Sequence, residues 1–126
     1  MKRRLAVFVV DDDPDYCKGM GLLVKSFAHD AQTFGEAEAL LAALATRVPD
    51  VILADIGMPR VNGCDLARSI RERPDCRRVI LAAVTGHGQD EDRRQAAEAG
   101  FDFRFVKPLD ANELHEFLEH LQTRVP

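Results

Sequence analysis

Three consecutive aspartates, Asp11, Asp12 and Asp13, follow directly on the apolar run Val7–Val10. Asp55 ends a second such run, Thr85 a third, and Lys107 with Pro108 a fourth. Carboxylates crowded within a few ångström cannot all stay ionised without compensation. Two compensators suggest themselves, a hard divalent cation and the Lys107 ammonium. An all-oxygen ligand set suits Mg²⁺, which keeps several waters and takes only one or two carboxylates directly. A cation and a lysine beside a carboxylate make a site for a dianionic phosphoryl group, with Asp55 placed as nucleophile. Phosphoryl transfer asks for in-line placement and cancellation of charge on the equatorial oxygens. Lys107, the Thr85 hydroxyl and backbone N–H groups in the Gly57 and Gly86 turns are the groups available for that.

Singly, each residue has an ordinary reading. A charge run is usually a solvated face, Asp13 before Pro14 reads as a helix cap, Thr85 as a turn residue and Lys107 as a surface charge. The argument therefore depends on elements that bring the four run ends together. Strand-length apolar runs lie at Leu5–Val10, Val51–Ala54, Val79–Val84 and Phe103–Val106, with a more polar candidate at Asp30–Phe34. Helical periodicity falls between them. Tyr16, Met20, Leu23, Val24 and Phe27 mark a first helix, and Ala37, Leu40, Leu41 and Leu44 a second. Leu66, Ala67 and Ile70 mark a third, Ala96, Ala97 and Ala99 a weakly apolar fourth, and Leu114, Phe117, Leu118 and Leu121 the last. Asp110, with Glu113 three residues on, caps the last helix, and Gly100 stops the fourth. Alternating strands and helices with near-continuously apolar strands predict a doubly wound parallel sheet covered on both faces. Ligands of such sheets bind outside the carboxyl ends of the strands, where strand order reverses. The polar second strand suits an edge away from that point.

The 126 residues fit one domain, 1–126, with its core at about 5–121. A net charge of −4 predicts no general attraction to nucleic acid or an anionic membrane. The apolar run after the basic start is too short for a signal peptide or a membrane span. Cys17, Cys64 and Cys76 show no C-x-x-C spacing and an odd count, which reads as reduced thiols in a cytoplasmic protein.

The segments "VVDDDPD", "VILADIGMPRVNG", "VTGHG" and "FVKPLD", in this order and spacing, resemble the receiver domains of two-component response regulators from Leu5 to about Leu121. The resemblance implies a flavodoxin-like, five-stranded parallel sheet of order 2-1-3-4-5 with five helices. It implies that Asp55 accepts a phosphoryl group from a histidine kinase or a histidine phosphotransfer protein. Asp12 and Asp55, with the Gly57 main-chain carbonyl, would ligate Mg²⁺, and Asp11 would orient a metal-bound water. Thr85 would contact the phosphoryl group and shift on activation, Lys107 would pair with that group, and Lys107–Pro108 would be cis. Output would pass through the face made by the fourth helix, fifth strand and fifth helix to a downstream protein or a fused effector. Such a module catalyses only its own phosphorylation and dephosphorylation. The stretch "TGHGQDEDRRQAAEAGFD" is similar to receivers fused behind hybrid sensor kinases.

One departure stands out. Arg104 occupies the position where such receivers carry the aromatic residue of the threonine-coupled switch, and a guanidinium cannot fill an apolar slot cheaply. Strand alternation points Phe103 and Phe105 to the opposite face, so Arg104 is expected to be solvated or held outward toward a partner. Gly57 and His87 border the water path to an acyl phosphate, Asn62-Gly63 reads as a turn, and "DEDRR" at 90–94 as an exposed helix face. His115 and His120 are five apart on a helix and make no zinc pair. Two other classes remain. Asp11-x-Asp13 faintly resembles haloacid-dehalogenase phosphohydrolases, with Asp11 as nucleophile, but lacks their following Gly-Thr. A phosphorylation-independent binding module would need a degenerate pocket, and every pocket position is present.

Overall fold

The computed structural model describes residues 3–57, 63–86 and 90–124, with only the backbone at 90–93. Its elements are β1 (Ala6–Val10), α1 (Pro14–Ser26), β2 (Asp30–Phe34), α2 (Ala37–Ala43), β3 (Val51–Asp55), α3 (Gly63–Arg71), a 3₁₀ turn (Pro74–Cys76), β4 (Ile80–Thr85), α4 (Asp90–Ala99), β5 (Phe103–Val106) and α5 (Ala111–Gln122). The five strands form one all-parallel sheet in the order β2-β1-β3-β4-β5. That is the flavodoxin-like arrangement expected, with the polar strand at an edge.

Alternation along the strands divides the core in two. Val7, Val9, Leu53 and Val84 pack with Val24 of α1 and with Leu114 and Leu118 of α5. Phe8, Val10, Ile52 and Ala83 face the other way, onto Leu40 of α2, Leu66 and Ile70 of α3 and Ala96 of α4. Strands buried on both faces explain the near-continuous apolar runs.

Strand limits shift by a residue where a local bond competes with the ladder. The Leu5 N–H donates to His29 Nδ1 at 3.1 Å, and the strand begins at Ala6. The Val79 N–H closes the 3₁₀ turn onto the Cys76 carbonyl, and β4 begins at Ile80. Asp13 caps α1, its side chain accepting from the Asp15 and Tyr16 amides, and Asp110 caps α5 through the Asn112 amide. Gly100 stops α4 with φ at +110°, the left-handed conformation glycine adopts without strain. Lys107–Pro108 is cis, as the resemblance implied. Among the described residues no helix is long and apolar enough to cross a membrane.

Candidate functional site at the carboxyl rim

Register brings four strand ends together. Val10 pairs with Ala54, so Asp11 emerges beside Asp55. Asp55 pairs with Val84, one residue short of Thr85, and Thr85 pairs with Val106, one residue short of Lys107. The Lys107 N–H then donates to the Thr85 carbonyl at 2.8 Å, locking the last strand end to its neighbour. The crevice lies between β1 and β3, where strand order reverses, as expected for such a sheet.

One oxygen from each of Asp11, Asp12 and Asp55 lies within 4.8 Å of the others. The Lys107 Nζ stands 2.9 Å from Asp11 Oδ2 and 3.6 Å from Asp55 Oδ2. Asp11 is 2% exposed and Asp55 8%, so both carboxylates have lost most of their water, whereas Asp12 is exposed. Burial pushes the Asp55 carboxyl above its ordinary range, and the charges of Asp11 and Asp12 add to the shift. The Gly57 amide and Lys107 offset only part of it. Burial alone would lower the Lys107 ammonium, but its hydrogen bond to Asp11 and the charge of Asp55 outweigh that and raise it. The site thus keeps its lysine charged and remains short of positive charge. Oxygen donors alone, close-set and net negative, fit a hard divalent cation.

Both Asp11 oxygens are committed, Oδ1 to the Asp13 amide at 2.9 Å and Oδ2 to Lys107. Asp55 Oδ2, by contrast, faces Lys107 at the longer distance of 3.6 Å. The Gly57 N–H donates to Asp55 Oδ1 at 3.0 Å, so in this state it serves the carboxylate rather than standing open. Thr85 is buried at the end of β4, and Gly86 forms the exposed bend after it. Asp13 lies outside the cluster as the helix cap. Arg104, expected to be solvated or held outward, is half-buried beside Ala83, on the sheet face opposite Phe103 and Phe105. Phe103 and Phe105 do point the other way, each packing edge-on against Phe117 at 4.9 Å. Asn62, His87 and the side chains of 90–93 lie outside the described residues; Arg94 is exposed.

Two contributors escaped the sequence. Gly63, the first residue of α3, sits so close that a Cβ would stand 2.6 Å from the Ile56 Cα and 2.7 Å from the Asp55 carbonyl oxygen. Only glycine lets α3 pack onto the chain just past Asp55. Tyr16 reads as an apolar residue of α1, yet its ring lies against Lys107, with the Nζ 4.5 Å from the ring centroid. The signal available was its place in the first helical turn after the aspartates.

A family model described as the response regulator receiver domain matches residues 7–119. The chain is 29% identical over 111 residues to an uncharacterized 14.6 kDa protein in the sodA1 3′ region of Leptolyngbya boryana, covering 88% of this chain and 85% of that protein. Identity is 29% over 132 residues to the response regulator Rre1 of Synechocystis, across 98% of this chain and 54% of that one. The gliding motility regulatory protein of Myxococcus xanthus is 31% identical over 105 residues, covering 83% of this chain but 14% of its own length. The chemotaxis response regulator CheY4 of Vibrio cholerae superposes with a TM-score of 0.88 at 19% identity, over 94% of this chain and 99% of its own. The receiver domain of the sensor histidine kinase PA1611 of Pseudomonas aeruginosa, solved with a magnesium ion in its active site cleft, gives 0.86 at 22% identity, over 96% and 98%. At such identities the structures speak for the fold. The family match, spanning all five strands, carries the rest: the chain belongs to the response regulator receiver domains of two-component signalling.

Proposed function

We propose that this receiver accepts a phosphoryl group on Asp55 from a phosphohistidine of a histidine kinase or a histidine phosphotransfer protein. The observation that carries the reading is the Lys107 ammonium, set between Asp11 at 2.9 Å and Asp55 at 3.6 Å with Asp12 alongside. Asp55 Oδ1 is held by the Gly57 amide, which leaves Oδ2, the oxygen facing Lys107, to attack phosphorus. The P–O bond forms as the P–N bond of the donor breaks. The electron pair leaves with the imidazole, which departs neutral because its other ring nitrogen carries a proton, and Asp55 becomes an acyl phosphate. Lys107 then serves the phosphoryl oxygens in place of the Asp55 carboxylate, while Asp11 keeps it at the rim. The Thr85 hydroxyl and the Gly86 turn supply neutral donors. Mg²⁺ held by Asp12, Asp55 and the Gly57 carbonyl, with Asp11 acting through a bound water, would supply further cancellation of charge on the transferred group.

Output runs through the face built from α4, β5 and α5, where Val106 is exposed and Arg104 half-buried. Arg104 in place of an aromatic residue makes this an altered switch, since a guanidinium does not enter an apolar slot as a ring does. Incubation with Mg²⁺ and acetyl phosphate, followed by intact mass, tests the reading. Wild type gains one phosphoryl group, while Asp55→Asn and chelated samples gain none. Label persisting in Asp55→Asn, or mapped to Asp11, would overturn it.

A further inference from the structure

We propose that Tyr16 is a positioning residue of this site: the face of its ring holds the Lys107 ammonium in place between Asp11 and Asp55. This rests on the phosphoryl-transfer reading above and names a residue which that reading does not require.

Lysine ends in a compact charge on a flexible stem, so its head stays put only where something confines it. Two carboxylates draw the Lys107 head, Asp11 at 2.9 Å and Asp55 at 3.6 Å. The Tyr16 ring closes a flank, with the Nζ 4.5 Å from its centroid, within the range where the negative face of a ring attracts a cation. Lys107 is only one-quarter exposed, so this attraction is less screened than on an open surface. The ring is fixed independently of the lysine. It belongs to the first turn of α1, whose amides Asp13 caps, and it packs against the core between α1 and α5.

The hydroxyl plays no comparable part. It is buried with no hydrogen-bond partner among the described residues, and the Leu109 main chain approaches it without the geometry of a full bond. The ring face, not the phenol, is what this position provides. A cation slides across a ring face with little loss, because the attraction has no single direction. Lys107 can therefore pass from the Asp55 carboxylate to a phosphoryl oxygen without being released to solvent.

The chain has one tyrosine and no tryptophan, so its intrinsic emission reports on Tyr16 alone. Lys107→Met removes the charge from beside the ring, and the tyrosine emission is expected to change; identical emission would overturn the contact. For the role itself, acetyl phosphate with Mg²⁺ is followed by intact mass for wild type, Tyr16→Leu and Tyr16→Phe, each checked for an intact fold by melting. Tyr16→Leu is expected to slow labelling about three- to tenfold, the span set by loss of a partly screened cation–ring contact. Tyr16→Phe, which keeps the ring, recovers that loss. The effect falls on the maximal rate more than on the phosphodonor concentration at half-maximal rate, since the lysine acts on developing charge. Equal rates for wild type and Tyr16→Leu, or a Tyr16→Phe as slow as Tyr16→Leu, would overturn the proposal and leave Asp55 as acceptor untouched. Failure of wild type itself to label would remove the acceptor reading and, with it, the role of Tyr16.

Discussion

Strand β3 lies between two aspartates of opposite character. Asp50, just before it, is held by the Arg3 guanidinium at 2.8 and 3.0 Å and accepts the Ala6 amide at 2.8 Å. Burial would raise its carboxyl, but Arg3 and that amide outweigh burial and leave it below the ordinary range. Asp55, the last residue of the same strand, is raised instead. The pattern extends along both rims. At the amino rim Asp102 takes Arg71 at 2.7 Å and the Leu81 amide at 2.9 Å, and Asp30 lies between Arg4 and Arg47. At the carboxyl rim Asp11, Asp12 and Asp55 gather around Lys107. One residue type at the two ends of one strand thus does two jobs. Where a carboxylate has its own cation, and for Asp50 and Asp102 a strand amide as well, it holds the fold. Where carboxylates outnumber cations, the deficit leaves room for a further cation, which on the proposed reading prepares the rim for a phosphoryl group.

The largest effect is expected from breaking the amino rim. Asp50→Ala takes from the Ala6 amide its charged acceptor, and that loss should cost about 1.5–3 kcal/mol at neutral pH, the range for bonds involving a charged group. Urea unfolding at pH 7 measures it. Because the folded carboxyl is depressed, its stabilisation is full above the unfolded value of 3.8 and is lost only as pH falls through the lower, folded value. An unshifted midpoint would mean the two rims do not differ as drawn.

Breaking the carboxyl rim should have the opposite sign and a smaller size. Asp55→Asn keeps an acceptor for the Gly57 amide and removes a charge that burial and two neighbouring carboxylates disfavour. The folded carboxyl is raised, so wild type loses stability as pH climbs from the ordinary value of 3.8 through the folded one. The variant should therefore melt higher than wild type at neutral pH without divalent ions, with the advantage fading at acid pH. Mg²⁺ should narrow the gap by stabilising wild type more than Asp55→Asn. A variant melting lower than wild type under chelation would contradict the deficit.

What could be read in the sequence follows the same division. The carboxyl rim was legible because each of its residues ends an apolar strand, and a parallel sheet brings such ends together by construction. Even the edge position of Asp30–Phe34 followed from its polarity. The amino rim was not legible. Asp50, Asp102 and Arg71 stand in loops or near helix ends with no periodicity, and their partners lie far off in the chain; Arg71 reaches the Gly100 and Val79 carbonyls as well as Asp102. Gly63 looked like half of an Asn-Gly turn, since a close backbone approach leaves no trace but the glycine itself. Tyr16 satisfied the helical pattern so well that its second contact, with Lys107, was hidden by the first. Arg104 was recognised as unusual by type, but its half-burial depends on long-range packing that strand alternation does not give.

The amino rim also holds a titrating group with an acid-side signature. His29 is 4% exposed, and its Nδ1 accepts the Leu5 amide at 3.1 Å, which requires that nitrogen to be unprotonated. Burial lowers the imidazole below its ordinary value of 6.5, with His115 and Arg4 adding to the shift and Asp30 opposing it. A depressed group contributes stability that is full above 6.5 and is lost as pH falls through the folded value. His29→Asn keeps an acceptor for the Leu5 amide and cannot take up the proton. Melting followed from about pH 7.5 to pH 5, the span over which histidines titrate, should show wild type falling faster than the variant, by the smallest margin of the three. The carboxyl rim changes in the reverse sense over carboxylate pH, since protonating Asp55 relieves it. Acid should thus loosen the rim that is fully paired before it relaxes the one that is not, and parallel profiles for wild type and His29→Asn would show that the Leu5 contact does not depend on protonation.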